Sequence, residues 1–291
     1  MRWARLVVAL ALPVVAASYL AADLWMAWRV PDADAWGEAA LHVRSEWEQG
    51  DAVVFSPAWA WEGAPRFDGL DPWLVESVDW YEAGKHGRVW AVGPREPAPP
   101  AGWTVEERER DRGVTVTLLK PPEGQRLLFD SMARIGDARV TRIHKDRREP
   151  CTNFHDRRWD CGPRPEAWLY VGVERMDMGD AIREVIWAHP LDKGEPTEIR
   201  WPSIPAGRRL VIRYGLNQRA VDSSTFGVAP TFSVSVGGRE VLVRDVEQGS
   251  GWAMETIDLE AMEGQPLDLA VTVSTPDFRD NRLCFTADVW E

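Results

Sequence analysis

The stretch FSPAWAWEGAPRFDG, Phe55 to Gly69, sets two indoles, Trp59 and Trp61, beside two carboxylates, Glu62 and Asp68. Aromatic rings next to acids are the raw material of sugar recognition, because a ring face stacks on a pyranose while a carboxylate accepts from its hydroxyls. Glycan cleavage draws on the same groups, one carboxyl donating a proton and a second acting as base or nucleophile. This pair of acids has no diagnostic spacing, and two indoles one residue apart also serve to cover a core. The four residues are the candidate ligand-binding set, with no catalytic residue assigned.

A second polar cluster, Asn153, His155, Asp156, Arg157 and Arg158, lies between Cys151 and Cys161 in CTNFHDRRWDC. So short a loop closes at low entropic cost, so these cysteines are expected to pair and to leave Cys284 as a buried thiol. The staple would hold the five polar residues as a projecting surface for a partner. A metal reading would use Cys151, His155 and Cys161 with His144 or His189. It matches no standard zinc spacing, and no metal is expected there. Asp177 and Asp180 flank Gly179; oxygen ligands in a turn suit calcium, whereas a plain β-turn needs no ion. Glu76, Asp79 and Glu82 share one face of an expected helix and read as a solvated face. No glycine-rich phosphate loop, Walker pattern or nucleophile elbow follows any apolar strand, so no nucleotide site or other cofactor is expected.

The elements that must position these residues fall into two rhythms. From Pro31 to Pro121 helix and strand alternate. Trp36, Ala39, Ala40, Val43 and Trp47 recur at helical spacing up to Gly50, and Ala52–Phe55 is a short buried strand. Asp71-Pro72 reads as the start of a second helix, carrying Leu74, Val78 and Tyr81 to Gly84. Arg88–Pro94 follows as a strand, and WTVEERE with GVTVTLLK as an edge hairpin. This predicts a small three-layer α/β domain over 31–121, with Trp59 and Trp61 leaving the carboxyl end of its first strand, where such sheets place ligands. Beyond residue 125 the period becomes two. Leu267, Leu269, Val271 and Val273 alternate with polar or small residues, and Gly237-Gly238 marks a tight hairpin. Residues 125–291 therefore predict an all-β antiparallel sandwich of the jelly-roll kind, like a carbohydrate-binding module.

Arg2 and Arg5 precede an uncharged run from Leu6 to Ala22, with Trp25 and Trp28 beyond it. Residues 1–30 thus read as a signal-anchor, one membrane helix with its amino end inside. The small residues at Val15-Ala16-Ala17 offer the alternative of cleavage and secretion. Without the three arginines and one aspartate of residues 1–30, the chain carries 31 basic and 45 acidic side chains, a net charge of −14. Such a surface repels polyanions, which excludes nucleic acid as a partner. The 17 tryptophans are several times the usual share and fit core packing and sugar contact alike.

CTNFHDRRWDCGPRPEAWLYVG, IWAHP, RLVIRYGLN and NRLCFTADVW, together with GDAVVFSPAWAW and GRVWAVGP, resemble the extracytoplasmic C-terminal region of bacterial lipid-carrier-dependent, mannosyltransferase-like membrane glycosyltransferases. Those enzymes span the membrane many times and keep their catalytic acids in an early external loop. Here one apolar segment precedes the soluble part, so the transferase activity does not carry over. The resemblance implies location and contact with glycans or glycolipids. The expected protein is therefore anchored at the inner membrane with its soluble part in the periplasm. It would act as a non-catalytic binding or accessory module touching a glycan, a glycolipid or a membrane glycosyltransferase. An enzyme using Glu62 and Asp68, and a pure protein-interaction module, are the alternatives.

Overall fold

Asp32 opens the first helix of the folded part. Its carboxylate accepts from the Ala35 amide at 2.8 Å, capping a donor the helix leaves free, and α1 runs over Ala33–Glu46. Trp36, Ala39, Ala40 and Val43, the spacing read from the sequence, form its buried stripe together with Ala35, and Trp47 is the residue that ends the helix. The computed structural model describes residues 13–21, 30–70, 73–75, 80–95, 98–99, 101–122, 126–144, 147–161, 170–179, 182–190, 194–259, 266–277 and 279–291. The chain divides into two compact units, residues 1–122 and 123–291.

The first unit is built on a five-stranded sheet. Strands β1 (Ala52–Phe55), β2 (Trp73–Val75), β3 (Val89–Gly93), β4 (Thr104–Asp111) and β5 (Val114–Lys120) lie in the order β2-β1-β3-β5-β4. The pairs β1–β2 and β1–β3 are parallel, and β5 and β4 extend the sheet as an antiparallel hairpin. Every residue of β1 and β3 is buried, as expected of parallel strands covered on both faces. On one face α1 packs against Val53, Phe55, Trp90, Val92 and Val116; on the other, Ala83 of the single-turn α2 (Trp80–Ala83) meets Val54 and Ala91. Gly93 is needed where β3 passes the Ser56 carbonyl, since a Cβ there would stand 1.5 Å from that oxygen.

The second helix expected from Asp71 is a correction. Trp73, Leu74 and Val75 form a strand on β1, and only Trp80–Ala83 is helical. An apolar run ending in a β-branched residue suits an extended chain, and parallel pairing with a buried strand outweighs the helical periodicity. Asp71, Pro72, Glu76, Val78 and Asp79 lie outside the described residues. Among the described residues no helix is long and apolar enough to cross a membrane. Residues 13–21 are helical, while the rest of the expected anchor, 1–12 and 22–29, lies outside the described residues.

The second unit is a β-sandwich. Its strands are β6 (Leu127–Phe129), β7 (Arg139–His144), β8 (Arg147–Pro150), β9 (Asn153–His155), β10 (Arg158–Asp160), β11 (Tyr170–Asp177) and β12 (Ile182–Ala188). They are followed by β13 (Thr197–Ile204), β14 (Arg209–Leu216), β15 (Thr231–Val236), β16 (Arg239–Asp245), β17 (Ala253–Asp258), β18 (Leu267–Ser274) and β19 (Leu283–Trp290). One sheet runs β17-β14-β19-β12-β11-β10-β9 with β6 also on β19, and the other runs β16-β15-β18-β13-β7-β8. Alternate residues from both sheets meet in one core that includes Leu210, Ile212, Phe232, Val234, Leu269, Val271, Phe285 and Val289. Each such side chain contributes roughly 1.5–3 kcal/mol relative to exposure. Gly237 and Gly238, at φ +58° and +78°, make the turn between β15 and β16, as the sequence predicts. Two indoles pin one turn at the base of the core: Trp159 and Trp201 donate to the carbonyls of Ile135 and Arg134, each at 2.9 Å.

Candidate functional site

At one end of the sandwich, loops from three places in the sequence surround an open, polar pocket of about 640 Å³. Asp177 comes from the end of β11, Asn217 to Ser224 from the stretch after β14, and Asp280 from the loop before β19. A short helix, α3 (Gln218–Val221), forms because the Asn217 side chain accepts from the Ala220 amide at 3.0 Å. The Gln248 amide then donates to the carbonyls of Ala220, Val221 and Ser223, bracing the turn from behind. Gly179 must be glycine: its φ is +90°, and a Cβ would lie 2.6 Å from the Gln218 side-chain oxygen.

Asp280 organises the far wall. It accepts from Ser223 Oγ at 2.7 Å and Thr225 Oγ1 at 2.5 Å. Those two hydroxyls hold its carboxyl below the usual carboxylate range, with Arg282 adding to the effect. The buried Asn281 donates to the carbonyls of Val228 and Asp277, so the loop carrying Asp280 is fixed before any ligand arrives. The lining carries carboxylates at Asp177, Asp222 and Asp280 and the Arg219 guanidinium; Gln218 Nε2 donates to Asp222 Oδ1 at 2.8 Å, and the buried Asn217 amide is taken up by Ala220 and Met176. No histidine or cysteine is among its residues. Donors and acceptors side by side suit a ligand rich in hydroxyls. Sequence spacing singled out only Asp177 of these residues, as part of a turn, and did not join it to the others. The site's one signal is the long polar link NQRAVDSST between two strongly patterned strands.

Of the expected ligand set on the first unit, Trp59, Trp61 and Glu62 lie on a 3-10 segment, Ala58–Phe67, that follows β1, and Asp68 is the residue that ends it. Ala60, Ala64 and Phe67 turn inward, with Phe67 edge-on to Phe55 at 5.2 Å, and Gly63 leaves room for the Trp36 ring. Trp59 and Trp61 stay 43% and 55% exposed, and Glu62 and Asp68 are exposed as well. With three residues per turn, positions two apart point about 120° away from each other, so these indoles do not form one flat platform. Asp68 contributes its backbone carbonyl to Arg44 at 2.8 Å.

Cys151 and Cys161 are joined by a disulfide, and Cys284 is free and buried. The enclosed residues do not project as a loop at the end of the sandwich. They fold as β9 and β10, and β10 pairs with β11, so the hairpin forms the edge of the larger sheet. Its turn residues Asp156 and Arg157 sit at φ +47° and +60°, a conformation their side chains do not advertise. The polar groups mostly satisfy one another. His155 Nε2 lies 2.8 Å and Asn153 Nδ2 3.1 Å from Asp160, Arg158 pairs with Asp160 at 3.2 Å, and Arg157 with Glu184 at 2.6 Å. His189 is buried, and burial lowers its pKa, while its Nδ1 meets the Pro190 carbonyl at 2.7 Å. Asp177 Oδ1 accepts from the Gly179 amide at 2.9 Å, the plain-turn arrangement; Asp180 lies outside the described residues.

No family model matches the sequence, and no curated protein matches it. Among solved structures, the chain is similar to a CBM51 from Clostridium perfringens GH95 in complex with methyl-galactose, at 11% identity and TM-score 0.30, over 40% of this chain and 79% of that one. It is similar to the CBM51-2 and INT domains of Clostridium perfringens ZmpB with GlcNAc, at 10% identity and TM-score 0.33, over 65% of this chain and 41% of that one. A family 35 carbohydrate binding module from an environmental isolate matches at 13% identity and TM-score 0.26, over 41% and 80% of the two chains.

Proposed function

We propose that this chain is a non-catalytic glycan-binding accessory protein of the bacterial cell envelope, held at the inner membrane by its N-terminal segment. The observation that carries the reading is the pre-ordered polar pocket between Asp177, Asn217–Ser224 and Asp280. Its mixed donors and acceptors match the hydroxyls of a sugar, and its excess of acids favours a neutral glycan over a phosphorylated or sulfated one. The strands support a jelly roll, because from β11 onward the chain steps between the two sheets: β12 to β13, β13 to β14, β14 to β15, β16 to β17, β17 to β18 and β18 to β19. The positively flanked apolar stretch and the disulfide support an extracytoplasmic site. The resemblance to the soluble region of lipid-carrier-dependent transferases supports a glycan-assembly enzyme as the neighbour.

The test is a glycan array followed by calorimetry on the full-length chain in detergent. A neutral glycan binds, and Arg219→Ala and Asp222→Asn each weaken it by about tenfold or more, the loss expected for one hydrogen bond to a charged group. Asp280→Asn weakens it further, because the wall it organises loosens. Absence of binding to any neutral glycan, or binding that ignores all three substitutions, overturns the reading.

A further inference from the structure

We infer that His42 and Glu107 bind a divalent transition-metal ion on the first unit, with Glu109 orienting the imidazole from its other nitrogen. His42 lies on α1 and the two glutamates on β4, where residues two apart share a face. One ligand atom from each lies within 4.8 Å of the others. Nδ1 of His42 stands 3.0 Å from Glu109 Oε2, and Nε2 stands 3.2 Å from Glu107 Oε1.

The second contact is the informative one. His42 Nε2 is shielded from solvent and has no aligned hydrogen-bond partner, although a carboxylate oxygen faces it. A neutral imidazole carries one N–H. With that proton on Nδ1 toward Glu109, Nε2 turns a lone pair toward Glu107, and two such groups at 3.2 Å call for a cation between them. A tetrahedral ion bound to nitrogen and oxygen at about 2.0–2.1 Å has ligand-to-ligand edges of about 3.3 Å. The observed separation fits that edge. A carboxylate on the far nitrogen is also the partner that fixes the tautomer of metal-bound histidines, the role the geometry gives Glu109.

The surroundings favour a cation as well. A groove of about 280 Å³ on the Glu109 side of His42 is lined by Glu38, one turn earlier on α1, and by Asp111 at the end of β4, so acids surround the imidazole beyond Glu107. The imidazole is held by an edge-on contact with Trp90 at 5.8 Å, so its orientation is set by the core. One nitrogen with carboxylates suits zinc or a neighbouring first-row ion, whereas calcium and magnesium prefer oxygen alone. The rival occupant is a second proton, which would make His42 an imidazolium between two carboxylates.

Calorimetry and thermal unfolding of the full-length chain, stripped with EDTA and titrated with Zn²⁺ at pH 7.5, separate the two. One Zn²⁺ binds per chain and raises the unfolding temperature, with Ca²⁺ and Mg²⁺ far weaker. His42→Ala abolishes the binding, Glu107→Gln and Glu109→Gln each weaken it by about tenfold or more, and His144→Ala and His155→Ala leave it unchanged. Because the His42 ring packs on Trp90, Glu107→Gln at the surface decides the matter if His42→Ala fails to fold. No Zn²⁺ binding, or binding unaffected by Glu107→Gln and Glu109→Gln, overturns the inference. The glycan reading rests on the other unit and stands or falls separately.

Discussion

Arg88 grips Asp51 with two nitrogens at the foot of the parallel strands: Nε reaches Oδ1 at 3.0 Å and a terminal nitrogen reaches Oδ2 at 2.8 Å. The Trp90 indole adds a third donor at 2.9 Å, and the Glu48 amide a fourth at 3.0 Å. Asp51 is 2% exposed. Burial by itself raises its pKa, but the hydrogen bonds from Arg88, Glu48 and Trp90 outweigh it and leave the carboxyl below its ordinary value. The charged acid therefore joins α1, β1 and β3 through their ends.

The sign follows from that shift. A folded-state pKa below the unfolded one gives stability that is fully present above the unfolded value of about 3.9 and is lost as pH falls through the folded value. The first unit should lose stability below about pH 4, and Asp51→Asn should flatten that acid limb while costing about 2–3 kcal/mol at pH 7, since the charge facing Arg88 is lost and one of the two acceptor oxygens becomes an NH2 donor. Denaturant unfolding of both proteins from pH 2.5 to 7 checks this. Identical acid limbs would show that Asp51 does not carry the dependence.

What was legible in the sequence was whatever a single element expresses by itself. The stripe of Trp36, Ala39, Ala40 and Val43 announces α1, and the alternation of Leu267 to Val273 announces β18 and its buried face. Elements decided by a neighbour were not legible. Trp73–Val75 is a strand because β1 offers it a parallel partner, and β9 and β10 hide behind charged turn residues that adopt positive φ. Sites assembled across the chain were hidden for the same reason. Asp177, Asn217 and Asp280 become neighbours only through three loops, and His42 meets Glu107 and Glu109 only across the contact of a helix with an edge hairpin. The two indoles at 59 and 61 stood out in sequence, but the 3-10 geometry that splays them is invisible there.

His155 reports on the cysteine hairpin. Hydrogen bonds to Asp160 first and Asp156 second raise its pKa above the ordinary histidine value, against burial and the Arg158 charge. A raised folded-state value gives stability that is fully present below the unfolded pKa of about 6.5 and fades as pH rises through the folded one. For so exposed a group the effect on global stability is small. An NMR titration reads it directly: His155 titrates above the free-histidine reference in the wild type, and Asp160→Asn brings it down toward the ordinary value. A His155 that titrates identically in both proteins would rule out Asp160 as the cause.

The three cysteines give the last prediction. The Cys151–Cys161 bridge closes a loop with a sequence separation of 10 and flanks both strands of the hairpin. Restricting the unfolded chain by so short a loop is worth about 2–3 kcal/mol on the chain-entropy account. The hairpin has little core beneath it beyond the cysteines and Trp159, so its pairing with β11 depends on the staple. Cys284 behaves in the opposite way. It is fully buried beneath Trp187 and Val185, and that burial pushes its thiol pKa far up, which suppresses the reactive thiolate. Alkylation of the native protein should therefore label no cysteine. Mild reduction should expose Cys151 and Cys161 and lower the unfolding temperature of the sandwich, with Cys284 labelled only on denaturation. Peptide mapping with differential alkylation distinguishes the three thiols. Rapid native labelling of Cys284 would show that its thiol is not shielded, and an unfolding temperature indifferent to reduction would show that the hairpin holds to β11 without its bridge.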